Sequence, residues 1–186
     1  MTETLPADSA GSAYFLDFET GDERRATFAV IVDNEPGVLH RVVGLFSARG
    51  YNIESLTVAE TDRAVHTSRI TIVTRGREGV LAQIRAQLGK IVQVRAVMEV
   101  GGDARWVERE LALVKVRGTG DARVETLRIA EIFRARVIDT DVDSFVLELT
   151  GAPDKIDKFE MLMRPLGLVE VSRTGVLSIA RGGERV

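Results

Sequence analysis

The chain has no cysteine, two histidines, one tryptophan and four prolines among 186 residues. Without cysteine there is no disulfide framework, no thiolate metal site and no cysteine nucleophile. His40 and His66 are the whole supply of imidazole, and neither has an acid beside it in a spacing that suits proton transfer. Aromatic residues make up 5% and the net charge is −3, so a base-stacking platform and a broad phosphate-binding face are both missing. Catalysis by this chain alone is not expected, and neither nucleic acid nor a metal is an expected partner. No run of apolar residues is long enough to span a bilayer, and the start lacks the basic-then-apolar order of a secretory signal. A cytoplasmic protein, outside the membrane, is the expectation.

What is present is 45% apolar and 28% charged residues, enough chain for one medium unit or two small ones. Residues 1–24 carry Glu3, Asp8, Asp17, Glu19, Asp22 and Glu23 with no lysine or arginine before Arg24. That composition predicts a disordered acidic extension. Tyr14, Phe15, Leu16 and Phe18 leave open a second reading, in which it docks on a sheet edge or a partner.

From Arg25 the pattern becomes regular. Ala26, Phe28, Val30 and Val32 alternate along a strand stopped by Asn34-Glu35-Pro36-Gly37. Leu39, Val42, Val43 and Phe46 follow at helical spacing, and Gly50 stands where a helix would stop. Residues 52–61 and 65–73 read as a hairpin, 78–88 as a second helix with Leu81, Ile84 and Leu88 inward, and 92–100 as a closing strand. Gly101-Gly102-Asp103 interrupts, and the order begins again. A strand at 108–116 leads to a helix at 123–134 using Val124, Leu127 and Phe133. Strands at 137–140 and 144–149 flank Asp141-Val142-Asp143, a helix is marked by Ile156, Phe159 and Met163, and closing strands span 169–180. The expectation is an α+β fold of two consecutive ferredoxin-like βαββαβ-type domains. The boundaries are 1–24 for the extension, 25–100, a linker at 101–105, 106–181, and a tail at 182–186.

Two segments carry the chemistry. In Asp33-Asn34-Glu35-Pro36-Gly37-Val38-Leu39, Asn34 suits a helix cap, Pro36 a first helical turn, and Gly37 a close approach to the backbone. Such a turn exposes amides at the positive end of a helix, where a carboxylate is favoured. The same residues also serve plain capping, and the two readings stay open. Asn52, beside Ile53, offers a donor and an acceptor that suit a zwitterion, or satisfies its own backbone at a strand start. Asp139, Asp141 and Asp143 alternate around a turn without the ligand number of a calcium loop, and read as solvated turn acids.

The run DNEPGVLHRVVGLFSARGYNIESLTVAETD, followed by SRITIVT and by WVERELALVKV after the glycines, resembles the small regulatory subunit of acetolactate synthase with its amino-acid-binding ACT domain. The resemblance covers about residues 25–181. It implies a subunit without an active site that binds the catalytic large subunit, raises its activity, and confers feedback inhibition by valine or another branched-chain amino acid. It implies no cofactor in this chain, thiamine diphosphate, Mg and FAD being carried by the large subunit. It further implies a homodimer formed through the ACT domains, with an effector loop of Asn34, Glu35, Pro36, Gly37, Val38 and Leu39 facing Asn52 and Ile53 of the neighbouring copy. Pro36 stands where some relatives carry serine, and His40 where a small residue is common. A free-standing ACT-domain sensor acting on a different protein is the alternative.

Overall fold

A computed structural model describes residues 22–62 and 64–183. The expected extension, up to residue 21, and the last three residues of the tail lie outside them, as does Arg63 of the hairpin turn. The first half runs β1 (Arg24–Asp33), α1 (Val38–Ala48), β2 (Ser55–Asp62), β3 (Thr67–Gly76), α2 (Glu78–Leu88) and β4 (Val94–Val100). The second runs β5 (Trp106–Arg117), α3 (Gly120–Phe133), β6 (Arg136–Thr140), β7 (Ser144–Gly151), α4 (Pro153–Met163), a 3₁₀ turn at Arg164–Leu166, β8 (Leu168–Arg173) and β9 (Leu177–Ala180). Two antiparallel sheets result, ordered β2-β3-β1-β4 and β6-β7-β5-β8, with β9 added to the first third of β5. Each sheet has the strand order of a ferredoxin-like unit, as the sequence pattern predicts.

Alternation explains which face is which. Ala26, Phe28, Val30 and Val32 of β1 point toward α1 and α2 and build a core with Val42, Phe46, Ile70, Ile72, Leu81, Ile84 and Leu88. The opposite face is buried as well: Ala29 and Val73 are fully covered and Thr27 and Thr71 nearly so. What covers it is the ribbon of β5 and β9. Thr27 Oγ1 donates to Glu108 Oε1 at 3.1 Å, and Arg69 Nη2 donates to the Ser178 carbonyl at 2.7 Å. A strand buried on both faces reads as a near-continuous apolar run, which is how ATFAVIV reads. The second core gathers Ala112, Val114 and Val116 of β5 with Leu147, Leu149, Ile156, Phe159 and Met163.

Several expected details shift. The buried stripe of α1 is Val38, Val42 and Phe46, with Leu39 40% exposed, because the helix starts at Val38 and its inward line runs at i, i+4, i+8. In α3 the buried residues are Thr126, Ile129 and Ala130, while Val124 and Leu127 face solvent. Thr126 Oγ1 donates to the Ala122 carbonyl at 2.8 Å, so a polar residue sits inward with its hydroxyl already satisfied. The strand expected from residue 92 starts at Val94, with Val92 exposed, and the strand expected from residue 65 starts at Thr67. The strand expected from residue 52 starts at Ser55. Gly50 behaves as expected. With φ +68° it lets Tyr51 N–H reach the Phe46 carbonyl (3.0 Å) and its own N–H reach Ser47 (3.3 Å), while the Tyr51 ring meets Phe46 edge-on.

Candidate functional site

The turn between β1 and α1 is built around Pro36 and Gly37. Val38 N–H donates to the Glu35 carbonyl at 3.3 Å, and Gly37 has φ +87° and ψ −6°. These are the marks of a type II turn with proline second and glycine third. Gly37, not Asn34, is the residue before the first helical position, so Asn34 does not cap α1 and Pro36 does not enter its first turn. The reason is that the turn itself occupies the space between strand and helix. Asn34 instead anchors the turn sideways: its N–H donates to the His66 carbonyl at 2.7 Å, and its side chain lies 3.5 Å from Glu60 Oε1. On the other flank Arg95 holds Asp33 at 2.6 Å, and Asp33 N–H donates to the Gln93 carbonyl at 2.9 Å.

Behind Gly37 the first-turn amides of α1 have no intrahelical acceptor. No side chain caps them. Of the four helices described, α1 alone has no acidic residue in its first turn; α2 has Glu78, α3 Asp121 and α4 Asp154. A Cβ at Gly37 would meet nothing within 4 Å, so the position is glycine for its backbone angle and leaves open space beside the amides. Asn34, Glu35, Pro36, Gly37 and Leu39 are exposed, and Val38 is buried in the first core. The arrangement is a rigid, uncapped, positively polarised helix end open to solvent, which favours a small anion.

Asn52 and Ile53 do not join it within one chain. The Asn52 carbonyl accepts from Thr74 Oγ1 at 2.6 Å, whereas Asp33 pairs with Thr67 at the other end of β3. The two ends are seven positions apart, roughly 23 Å at about 3.3 Å per residue. Asn52 is exposed, and Ile53 packs partly against the first core.

The segment from Asn52 leads straight into contacts with the second half that sequence reasoning did not foresee. Val176 N–H donates to Ser55 Oγ at 3.3 Å, and Thr57 Oγ1 donates to the Thr174 carbonyl at 3.3 Å. Gly175, with φ +82°, lies so close that a Cβ would collide with Ser55 Oγ and come within 2.8 Å of Thr57 Oγ1. Beside this staple is an ionic cleft. Glu54 pairs with Arg25 (3.2 Å) and Arg75 (3.1 Å), and Arg173 grips the buried Glu110 with two bonds of 2.6 and 2.9 Å. Those bonds, and one to Asp157, hold the Arg173 guanidinium above the usual arginine range against the opposing effect of burial. The one signal in the sequence was a lone glycine between two short strands. His40 and His66 are exposed and stand apart on α1 and in the hairpin turn. Asp141 Oδ1 accepts the Val142 N–H and Asp143 pairs with Arg117 at 2.7 Å, so these acids serve their own turn. Among the described residues no group of three or more His, Cys, Asp or Glu is placed to hold a metal ion, and no helix is long and apolar enough to cross a membrane.

Comparison with known proteins assigns both halves. Residues 28–96 match the family described as the AHAS small subunit-like ACT domain, and residues 109–182 match the small subunit of acetolactate synthase. The chain is 48% identical over 159 residues to the acetolactate synthase isozyme 3 small subunit of Salmonella typhimurium, covering 85% of this chain and 96% of that one. The chain belongs to the acetolactate synthase small-subunit family. The acetolactate synthase small subunit of Haemophilus influenzae is 42% identical, with coverage of 87% and 99%. The crystal structure of the acetolactate synthase small subunit from Thermotoga maritima superposes with a TM-score of 0.75 at 35% identity, covering 87% of this chain and 99% of that one.

Proposed function

We propose that this chain is the regulatory, non-catalytic subunit of an acetolactate synthase: it binds the large catalytic subunit, raises its activity, and makes it sensitive to a branched-chain amino acid, valine being the first to test. The observation that carries the reading is the open, acid-free amino end of α1 behind Gly37, in a chain of the small-subunit family. Thiamine diphosphate, Mg and FAD belong, on this reading, to the large subunit in the cytoplasm, and the two functional units run over 25–100 and 106–181.

The effector's carboxylate takes the first-turn amides of α1 that follow Val38, whose own N–H closes the turn, and Asn52 and Ile53 come from a second copy. The separation of the two half-sites within one chain supports that division, since a ligand as small as valine cannot bridge roughly 23 Å. A homodimer paired through its ACT sheets then links ligand binding to dimer geometry. A ligand shifts such an equilibrium only by its difference in affinity for the two states, so inhibition saturates. Energetically the role is modest. Binding in the tens of micromolar needs about 6 kcal/mol, and charge-assisted bonds of roughly 1.5–3 kcal/mol each with burial of an isopropyl group supply it.

The deciding experiment measures acetolactate formation from pyruvate by the large subunit of the same organism, with and without this chain, across a valine titration. Activation that valine reverses is the expected result. An active large subunit whose rate ignores the chain in both arms would overturn the reading in favour of an ACT-domain sensor for another protein, and pyruvate turnover by the chain alone would make it an enzyme.

A further inference from the structure

A second cavity, of about 360 Å³, lies between β2 and β3 of the first sheet and the β5–β9 ribbon that crosses its helix-free face. Its volume falls at the lower end of the range typical of small-molecule sites. Ala59, Val107, Leu177 and Ile179 give it an apolar wall, and Leu177 and Ile179 are left 54% and 65% exposed. Against that wall stand two arginines, Arg69 and Arg109, and no acidic side chain lines the space.

Both guanidiniums lack the acidic partner that several others in the fold have. Arg24, Arg25, Arg75, Arg95 and Arg173 each meet a carboxylate. Arg69 donates to the Ser178 carbonyl at 2.7 Å and Arg109 to the Glu108 carbonyl at 2.7 Å, and among the described residues neither meets a carboxylate. Partial burial pushes the Arg69 guanidinium below the ordinary arginine value, as expected for a half-buried cation with no counter-ion. A guanidinium carries five donors, so most of this pair's hydrogen-bonding capacity is unspent. Ser178, which also lines the cavity, has a buried Oγ with no partner. Buried polar groups are ordinarily satisfied. Uncompensated positive charge, an orphaned hydroxyl and an apolar wall therefore meet in one place.

We propose that this cavity is a binding site for a small aliphatic monocarboxylate, its carboxylate held by Arg69 and Arg109 and its hydrocarbon body laid against Val107, Leu177 and Ile179. Guanidinium and carboxylate match in shape and can bond twice. The site selects against α-amino acids, because their ammonium group finds no acidic partner among the lining residues and loses its hydration on entry. It is thus distinct from the turn at Gly37, and it stands whether or not that turn binds an effector.

The test is a calorimetric titration of the full chain with hexanoate, hexan-1-ol and hexylammonium. Hexanoate is expected to bind saturably and the other two not. Arg69→Gln should weaken hexanoate at least about tenfold, the scale of one lost charge-assisted contact. Because Arg69 also ties down the ribbon, a second variant is needed at an exposed position: Leu177→Glu should abolish hexanoate binding and admit hexylammonium. Gly37→Asp should leave hexanoate binding unchanged, which separates this site from the proposed effector site. Absence of saturable hexanoate binding, or hexan-1-ol binding as tightly, would overturn the proposal. So would hexanoate affinity that falls as protein concentration rises while Leu177→Glu yields monomers, an outcome that makes the groove an interface between copies of the chain.

Discussion

The two halves repeat one architecture and use the same turn in opposite ways. In the first, the connection from β1 to α1 leaves the helix start without an acid in its first turn, although neither α1 nor α3 has a side-chain cap and both turns leave open space beside a glycine. In the second, the connection from β5 to α3 is filled by its own chain. Arg117 pairs with Asp143 at 2.7 Å, Gly118 N–H donates to the Asp143 carbonyl at 2.8 Å, and Asp121 stands in the first turn of α3. Arg123 reaches back to the Asp141 and Val142 carbonyls and lies 4.0 Å over the Phe145 ring. Every strand-to-helix turn of this fold offers a polarised helix end. Whether it serves as a site is decided by which side chains are left out of it.

The sharpest way to break the contrast is to close the open turn. Gly37→Asp places a negative charge beside the first-turn amides and forces a residue with a Cβ into a left-handed backbone, at a stability cost of about 1 kcal/mol. Effector sensitivity should fall by about 100-fold or vanish, on the loss of one or two charge-assisted bonds, while activation of the large subunit persists. Valine titration of the reconstituted enzyme checks this. An unchanged midpoint would mean that the anion goes elsewhere. Asn52→Ala should act next most strongly, raising the midpoint by roughly 10- to 100-fold. If the half-sites meet only between copies, mixing Gly37→Asp chains with Asn52→Ala chains should restore part of the sensitivity, because one interface in the mixed dimer keeps both intact halves. No restoration would place both residues on one copy's site.

How much of this was legible differs between elements for identifiable reasons. The order of the first half could be read because β1 and α2 announce themselves by period: Phe28, Val30 and Val32 at every second residue, Leu81, Ile84 and Leu88 at helical spacing. The inward face of α3 could not, because Thr126 satisfies its hydroxyl on the Ala122 carbonyl and so behaves as a core residue that polarity conceals. The turn at Gly37 is recognisable by its residue types, yet a type II turn and a capped helix start use the same letters, and it is Gly37, not Asn34, that precedes the helix. The distance between Gly37 and Asn52 depends on sheet register, and the β5–β9 ribbon depends on pairing Trp106 with Ala180. Neither is a local property, so no window along the chain contains it. Arg69 shows the same limit. Nothing within SRITIVT marks it, and only the ribbon folded over it shows that it is a cation without an acid.

The smallest expected effects lie in the filled turn, and they test whether filling is what distinguishes it. Arg123→Ala removes two bonds to exposed carbonyls and the contact with the Phe145 ring, which should lower stability by about 1–2 kcal/mol. Thermal denaturation reads the loss. Asp143→Asn breaks a pair whose partners are 71% and 38% exposed, a setting in which ion pairs contribute less than about 1 kcal/mol. The Asp143 carbonyl that accepts the Gly118 N–H remains in both variants, so the turn should keep its shape. Neither substitution should move the valine midpoint. If these substitutions, combined with Asp121→Asn to remove the first-turn acid, instead create valine binding there, the helix end alone suffices and the type II geometry at Pro36 and Gly37 is dispensable. If they do not, the open end of α1 owes its proposed role to the rigid turn that presents it, and not to the absence of competitors.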